Sequence, residues 1–340
     1  MPPALVLTGQ HADLDPAEFG LDAFPHEQLN CPGEEDPHHH VRAVAAALLP
    51  RLSRRPDLLV VQGDTSSALG GALAACTGGV PVAHVEAGLR THDPRLPWPE
   101  EEYRTAIDAC ADLLFAPTAT AAANLAAEQL AGETHITGNT SIDALLAIEA
   151  ELPPAQPHPP GLPQLLVTAH RRESWDEGLQ SIAAALRELA SEAKIDFVLH
   201  PNTYVASTMR DELEGTPNLH LVEPCSHPEL VRRMQSAYLV LSDSGGVQEE
   251  APALGAPLLV LREKTERPEG IASGSALLVG TRRERIVSEA RRLLNDLGAL
   301  TRMRRRTFPY GDGNAGPRIA AIIDKWLDAR GSCLSSVRAD

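Results

Sequence analysis

The stretch YLVLSDSGGVQEEAP, residues 238–252, carries three kinds of signal in direct succession. Tyr238–Ser242 is a short apolar run of the length a buried strand needs. Ser244, Gly245 and Gly246 then form a turn of small residues, and helical composition follows. A strand feeding a tight turn and a helix is the unit of a parallel sheet, because parallel neighbours require a crossover connection. The turn also leaves backbone N–H groups free at a helix N-terminus, where the helix dipole favours an anion such as phosphate. One turn on, Glu250 can accept hydrogen bonds from a ribose diol. Taken alone, the segment reads equally well as a glycine turn beside a solvated glutamate pair.

Working outward, the same alternation fills the chain. Ala4–Thr8, Leu58–Gln62, Val80–Val85, Leu113–Ala116, His135–Thr137, Gln164–Thr168, Phe197–His200, Leu219–Val222 and Pro257–Leu261 read as further buried strands. Between them lie alanine- and leucine-rich helical stretches such as Val41–Leu52, Leu69–Cys76, Ala119–Gln129 and Leu179–Glu192. This pattern predicts α/β architecture with parallel sheets covered on both faces. Leu152–Pro163, LPPAQPHPPGLP, is half proline and cannot continue either element, so it reads as a semi-rigid linker over 151–163. It splits the chain into two doubly wound, Rossmann-like halves, 1–150 and 164–312, and a helix near Gly316–Arg330 is expected to return to the first. Ligands in such sheets bind beyond the carboxyl ends of the strands, so two facing halves predict a cleft site.

Composition narrows the classes. The chain has 340 residues, 43% hydrophobic and 22% charged, as in an ordinary globular protein of two domains. No apolar run reaches the roughly 18 residues of a membrane span, and MPPALVLTGQH is not a signal peptide, which predicts a cytoplasmic protein. A formal net charge of −16 excludes a broad basic face for nucleic acid. The five cysteines are scattered and never form C-x-x-C, which argues against disulfide frameworks and zinc knuckles. The triplet His38–His40 reads as a solvated loop ahead of a helix, so no metal is expected.

Carboxylates cluster at strand ends in the first half. Gly63-Asp64-Thr65 ends one strand, Glu86-Ala87-Gly88 the next, and PWPEEEYR (97–104) presents Glu100 and Arg104 near a helix start. Asp64 can equally be a helix cap. Glu86 directly follows an apolar strand, where a carboxylate is costly without partners. Three neighbouring carboxylates point to proton transfer, since close carboxylates push their pKa values apart. In the second half, TAHRRES (168–174) puts His170 just past a strand, and LREKTERPEG (261–270) puts Arg267 past another, where it can reach the same phosphates as the 243–252 turn. There is no G-x-S-x-G elbow and no Walker A sequence, so no serine nucleophile or P-loop is indicated.

Together GDT, HVEAGLRT, PWPEE-x-x-R, ITGNT-x-ID, HRRES, DSGG-x-QEEAP and TERPE closely resemble the non-hydrolysing UDP-N-acetylglucosamine 2-epimerases, in family order over most of residues 57–295. The resemblance implies a glycosyltransferase-B type fold and a homodimer that interconverts UDP-GlcNAc and UDP-ManNAc without a cofactor. The implied route is elimination of UDP to 2-acetamidoglucal and re-addition. By motif position, Asp64, Glu86 and Glu100 would be acid/base or hydroxyl-orienting residues, with His170 near the diphosphate. Arg104, His200, Asn202, Ser244, Gly245, Gly246, Glu250 and Arg267 would bind UDP or the sugar.

The sequence also departs from the family. Members begin with a strand, Gly-Thr-Arg-Pro-Glu and a helix; this chain starts at what resembles the second strand, so it is expected to lack the first βα unit, its start lying inside a longer coding sequence. Ala169 replaces the usual Gly before the histidine, and Tyr103 the usual Asn before Arg104. Gln10 and His11 match a pair that several bacterial members place near an activating second substrate, but Ala12-Asp13 break that pattern. Rival readings are a hydrolysing epimerase, a glycosyltransferase of the same fold, and a non-catalytic nucleotide-sugar binder.

Overall fold

A computed structural model describes residues 3–10, 14–154, 161–171, 175 and 177–337, with side chains omitted at 18, 19 and beyond 330. His11–Asp13, residues 155–160 of the proline-rich linker and residues 172–174 of HRRES lie outside the described residues. The chain divides into two compact units, residues 1–137 with 319–340, and residues 138–318. Every strand ladder among the described residues is parallel.

The first unit contains β1 (Leu5–Leu7), β2 (His26–Gln28), α1 (Pro37–Leu48), β3 (Leu59–Gln62), α2 (Ser66–Gly78), β4 (Val82–Val85), α3 (Glu100–Cys110), β5 (Leu113–Ala116), α4 (Ala119–Glu128) and β6 (Glu133–Ile136). β3, β4, β5 and β6 form a sheet in that order; β1 and β2 pair separately. β4 and β5 are buried along their whole length, which is why they read as continuous apolar runs. Alternate residues serve opposite faces. Val82, Leu114 and Ala116 join a core with Val41, Val44 and Leu48 of α1, Ala72 and Ala75 of α2 and Ile107 of α3. Ala83, Val85, Leu113 and Phe115 face the other way, onto Ile319, Ile322, Ile323 and Trp326.

The second unit runs α5 (Thr140–Glu151), β7 (Gln164–Thr168), α6 (Glu177–Leu189), β8 (Lys194–Val198), α7 (Thr203–Leu213), β9 (Leu219–Val222), α8 (His227–Ser236), β10 (Leu239–Ser242), α9 (Gly245–Leu254), β11 (Leu258–Val260), α10 (Pro268–Ala272), β12 (Ala276–Leu278), α11 (Arg283–Asn295) and α12 (Leu297–Met303); α13 (Ala315–Val337) begins in it. The sheet order is β12-β11-β10-β7-β8-β9. The progression reverses between β7 and β10, the crevice where open α/β sheets bind ligands. Leu165, Val167, Leu239 and Leu241 pack on Leu179, Ile182, Ala183 and Leu186, which recur at helical spacing along α6. Leu166, Val240 and Leu258 face Val231, Met234 and Ala251.

Two sequence expectations need correction. α5 belongs to the second unit, because Ile142 and Leu145 are buried with Val231, Met234 and Ala251; the boundary therefore falls near residue 137, not 150. The histidine triplet lies inside α1, whose cap is Asp36; His40 is buried, its Nδ1 2.6 Å from Ser66 Oγ and its Nε2 3.0 Å from the Cys31 carbonyl. β2 went unread because HEQ is exposed throughout and carries no apolar signature. No helix among the described residues is long and apolar enough to cross a membrane.

Candidate active site

In the first unit, strand ends bring Asp64 and Arg104 together. The arginine is buried on α3 and donates from Nε to Asp64 Oδ2 at 3.0 Å, with Nη2 on the same oxygen. Its Nη1 reaches Glu101 Oε2 at 3.1 Å. Glu101 Oε1 in turn accepts from the N–H groups of Thr91 and His92 at 2.9 and 2.8 Å. Asp64 does not cap α2; Thr65 does, accepting from the Ala68 N–H at 3.1 Å. The aspartate side chain, 27% exposed, is thus aimed by Arg104 while remaining accessible.

Glu86 sits in the turn that ends β4, in a left-handed conformation with φ 75°. Few residues other than glycine adopt this region, and such outliers gather at functional sites. The turn is over-determined: the N–H groups of Glu86 and Ala87 both donate to the Phe115 carbonyl at 3.1 Å. Gly88 has φ 83°, and a Cβ there would lie 2.3 Å from the Ala121 carbonyl oxygen, so only glycine lets the turn lie against α4. Glu86 Oε2 comes within 3.6 Å of where a side chain on Gly63 would begin, next to Asp64. Glu100 opens α3, in the acidic first turn that the helix dipole favours.

Beneath these loops lies a network that sequence reasoning missed. His84 and Asp108 are fully buried, with His84 Nδ1 2.6 Å from Asp108 Oδ1 and His84 Nε2 2.9 Å from the Gly63 carbonyl. Asp108 Oδ2 accepts from the Gly88 N–H at 3.1 Å and from Arg90 Nη2 at 2.7 Å. Arg90 grips both oxygens of Glu128 at 2.7 and 2.8 Å. Burial alone would raise the Asp108 pKa; the contacts with His84 and Arg90 outweigh it and hold the carboxyl below the usual range. The sequence signal was a histidine inside an apolar strand with an aspartate one turn beyond Arg104.

In the second unit, the candidates gather where the sheet order reverses. Thr168 and Ser242, paired across β7 and β10, share a hydrogen bond at 2.6 Å. The next residue, Asp243, is buried and accepts from the His170 N–H at 3.1 and 2.8 Å and the Arg171 N–H at 2.9 Å. Burial pushes the Asp243 carboxyl up, and these donors offset it only in part. His170 stacks on His200, centroids 4.7 Å apart and planes 10° from parallel. Its Nδ1 is 3.3 Å from Asp243 Oδ1, yet burial, with Arg171 and Arg262 nearby, lowers its pKa to about 4. It is therefore a neutral hydrogen-bonding group at neutral pH. His200 Nδ1 accepts from the Asn202 N–H at 3.1 Å, and Asn202 Oδ1 caps α7 through the N–H groups of Tyr204 and Val205.

Ser244 stands at the N-cap position of α9. A Cβ on Gly245 would lie 2.8 Å from Arg267 Nη1, so the guanidinium lies directly against the first turn of α9. A Cβ on Gly246, an exposed residue, would meet nothing closer than Ser244 Oγ at 3.9 Å. Arg267 is fixed by Glu249 Oε1 at 2.6 Å and by Glu266. Glu249 Oε2 accepts from Asn139 Nδ2 and Ser141 Oγ at 2.6 and 2.7 Å, which ties the ITGNT segment to the same cluster. Glu250 is buried with Oε1 2.8 Å from His227 Nε2, and this bond raises the His227 pKa. The unit thus offers a helix N-terminus, a fixed guanidinium and a neutral imidazole, which together suit a phosphate ester.

Known proteins resemble this chain over most of its length. The UDP-N-acetylglucosamine 2-epimerase family model matches residues 2–324. A probable UDP-N-acetylglucosamine 2-epimerase of Ralstonia nicotianae is 40% identical over 339 residues, covering 94% of this chain and 90% of the relative. The Escherichia coli UDP-N-acetylglucosamine 2-epimerase is 43% identical over 284 residues, covering 79% and 76%. Among solved structures, a putative UDP-N-acetylglucosamine 2-epimerase of Listeria monocytogenes superposes with a TM-score of 0.86 at 35% identity, covering 96% of this chain and 88% of that one. The Neisseria meningitidis UDP-GlcNAc 2-epimerase bound to UDP-GlcNAc gives a TM-score of 0.82 at 30% identity, covering 95% and 99%. With its parallel sheets, its strand-end carboxylates and the family model matching it over 2–324, the chain belongs to the UDP-N-acetylglucosamine 2-epimerase family.

Proposed function

We propose that this protein is a non-hydrolysing epimerase that interconverts UDP-GlcNAc and UDP-ManNAc. The C2 proton and the C1–O bond to UDP are lost to give 2-acetamidoglucal and UDP. UDP then adds back to C1 as C2 is protonated on the opposite face. Coupling the two bond cleavages matters because a C2 hydrogen is too weakly acidic for simple deprotonation. Retaining both fragments avoids a bimolecular return, an advantage of about 7–11 kcal/mol in favourable cases.

The observation that carries this reading is the carboxylate set of the first unit: Asp64 aimed by Arg104, with Glu86 held beside it in a constrained turn. A transferase using only the nucleotide site would have no use for it. In this reading Asp64, Glu86 and Glu100 move the C2 proton or orient hydroxyls. The amides of Ser244, Gly245 and Gly246, with Arg267, receive the charge that develops on departing UDP. Neutral His170, stacked on His200, donates to the diphosphate; Glu250, oriented by His227, takes the ribose; Asn202 positions the loop after β8. Arg104 supports Asp64 and reaches the sugar only through it. The same reading makes the protein a cytoplasmic homodimer, checked by a solution mass twice 36.4 kDa.

Proton NMR of UDP-GlcNAc incubated with the protein in deuterated water tests the chemistry. UDP-ManNAc with deuterium at C2 and no free ManNAc is the expected result, and Asp64→Asn should slow it by at least about 10²-fold. Free ManNAc as the main product would mean hydrolysis. UDP binding with no exchange at C2 would mean a binding or transferase role.

A further inference from the structure

We propose that His84 and Asp108 are positioning residues that fix the two loops carrying Asp64 and Glu86, a role that rests on the proton-transfer reading above. His84 lies within β4, and both its ring nitrogens meet oxygen: Asp108 Oδ1 at 2.6 Å and the Gly63 carbonyl at 2.9 Å. The ring thus bridges the Asp108 carboxylate and the Gly63 backbone, one nitrogen to each. The other Asp108 oxygen holds the Gly88 N–H at 3.1 Å and Arg90 at 2.7 Å. Both side chains have no solvent exposure, so neither touches a substrate.

The consequence follows from where the contacts fall. Gly63 immediately precedes Asp64, and Gly88 is two residues beyond Glu86. One buried carboxylate on α3 therefore tethers the backbone of both loops, one directly and one through His84. A turn earlier on the same helix, Arg104 grips the Asp64 side chain. Asp64 is thereby held through its side chain by Arg104 and through its preceding carbonyl by His84. Glu86, in a left-handed backbone state that an ordinary loop would leave, is bracketed by the Phe115 carbonyl and by Asp108. Displacing a reacting group by about 1 Å can cost about 10²-fold in rate.

His84→Gln keeps one donor and cannot serve both acceptors. Its expected signature is a kcat for C2 deuterium exchange lowered by about 10²-fold, with UDP affinity within about twofold of the wild type because the nucleotide contacts lie in the other unit. Asp108→Asn, close in shape to the native residue, should show the same split, and carries the comparison if His84→Gln does not fold. Folded variants whose kcat stays within about threefold of wild type, whatever their melting temperature, would overturn the proposal. A parallel fall in UDP affinity and kcat would also overturn it, as it would indicate general loosening. If the wild type itself shows no exchange at C2, the epimerase reading fails first, and the two failures are told apart.

Discussion

His170 shows how burial can set a residue's chemistry. Its pKa of about 4 means that the native ring stays neutral while an unfolded histidine takes up a proton near 6.5. Between these values the unfolded state binds more protons, so stability falls as pH drops through that window and levels off below about 4. The loss at this one group is at most about 3 kcal/mol. Denaturant titrations at pH 7.5 and 4.5 should show that His170→Gln loses less stability than the wild type over that interval. The two glycines of the α9 turn make a second residue-scale test. Gly245→Ala meets Arg267 at 2.8 Å, so it should displace the guanidinium and lower both stability and UDP affinity. Gly246→Ala has room, so its melting temperature should stay within about a degree, while UDP affinity falls at least about tenfold if the α9 N-terminus receives the diphosphate. Calorimetric titration with UDP and a thermal melt separate the two variants.

At the scale of elements, the candidate residues stand where strands hand over to helices, and capping decides which polar side chain is structural. Asp64 and Thr65 are adjacent and both suit an N-cap, but the fold uses Thr65, whose hydroxyl accepts from Ala68. Thr65→Ala should cost about 1 kcal/mol in chemical denaturation. Asp64→Asn should leave the cap intact and act on turnover. Asn202 shows the converse: a motif residue whose side-chain oxygen is engaged in capping α7. α3 combines the two kinds of task, since Arg104 and Asp108 are one turn apart on one face and Glu101 ties its first turn to Thr91 and His92.

For the whole molecule, the C-terminal helix completes a core distant from it in sequence. Ile319, Ile322, Ile323 and Trp326 cover Ala83, Val85, Leu113 and Phe115 of β4 and β5. Ending the chain after Arg318 would strip that face and leave an apolar patch of the kind soluble domains rarely expose. The shortened protein is expected to bind a hydrophobic dye and lose the first unit's unfolding transition. The second unit's cores, built from residues 142–310, should keep theirs. Differential scanning calorimetry of the two lengths checks this; an unchanged thermogram would show that α13 contributes little to the first unit.

The alternation of apolar runs with helical stretches was enough to determine parallel α/β architecture, because strands buried on both faces must be largely apolar, as β4, β5, β7 and β10 are. The order of seven motifs was likewise enough to identify the family, and the strand-end positions of Asp64, Glu86, His170 and the 243–252 turn could be read from the end of each apolar run. Sequence could not reveal β2, whose exposed HEQ has no pattern, nor place α5, whose apolar residues would suit either unit. Nor could it separate the roles of neighbouring polar residues: which of Asp64 and Thr65 caps, that Arg104 serves Asp64, that His84 and Asp108 lie beneath two loops, or that His170 is neutral. Those outcomes depend on distances between side chains remote in sequence and on how far each is removed from water, and both are set only when the helices close over the sheets.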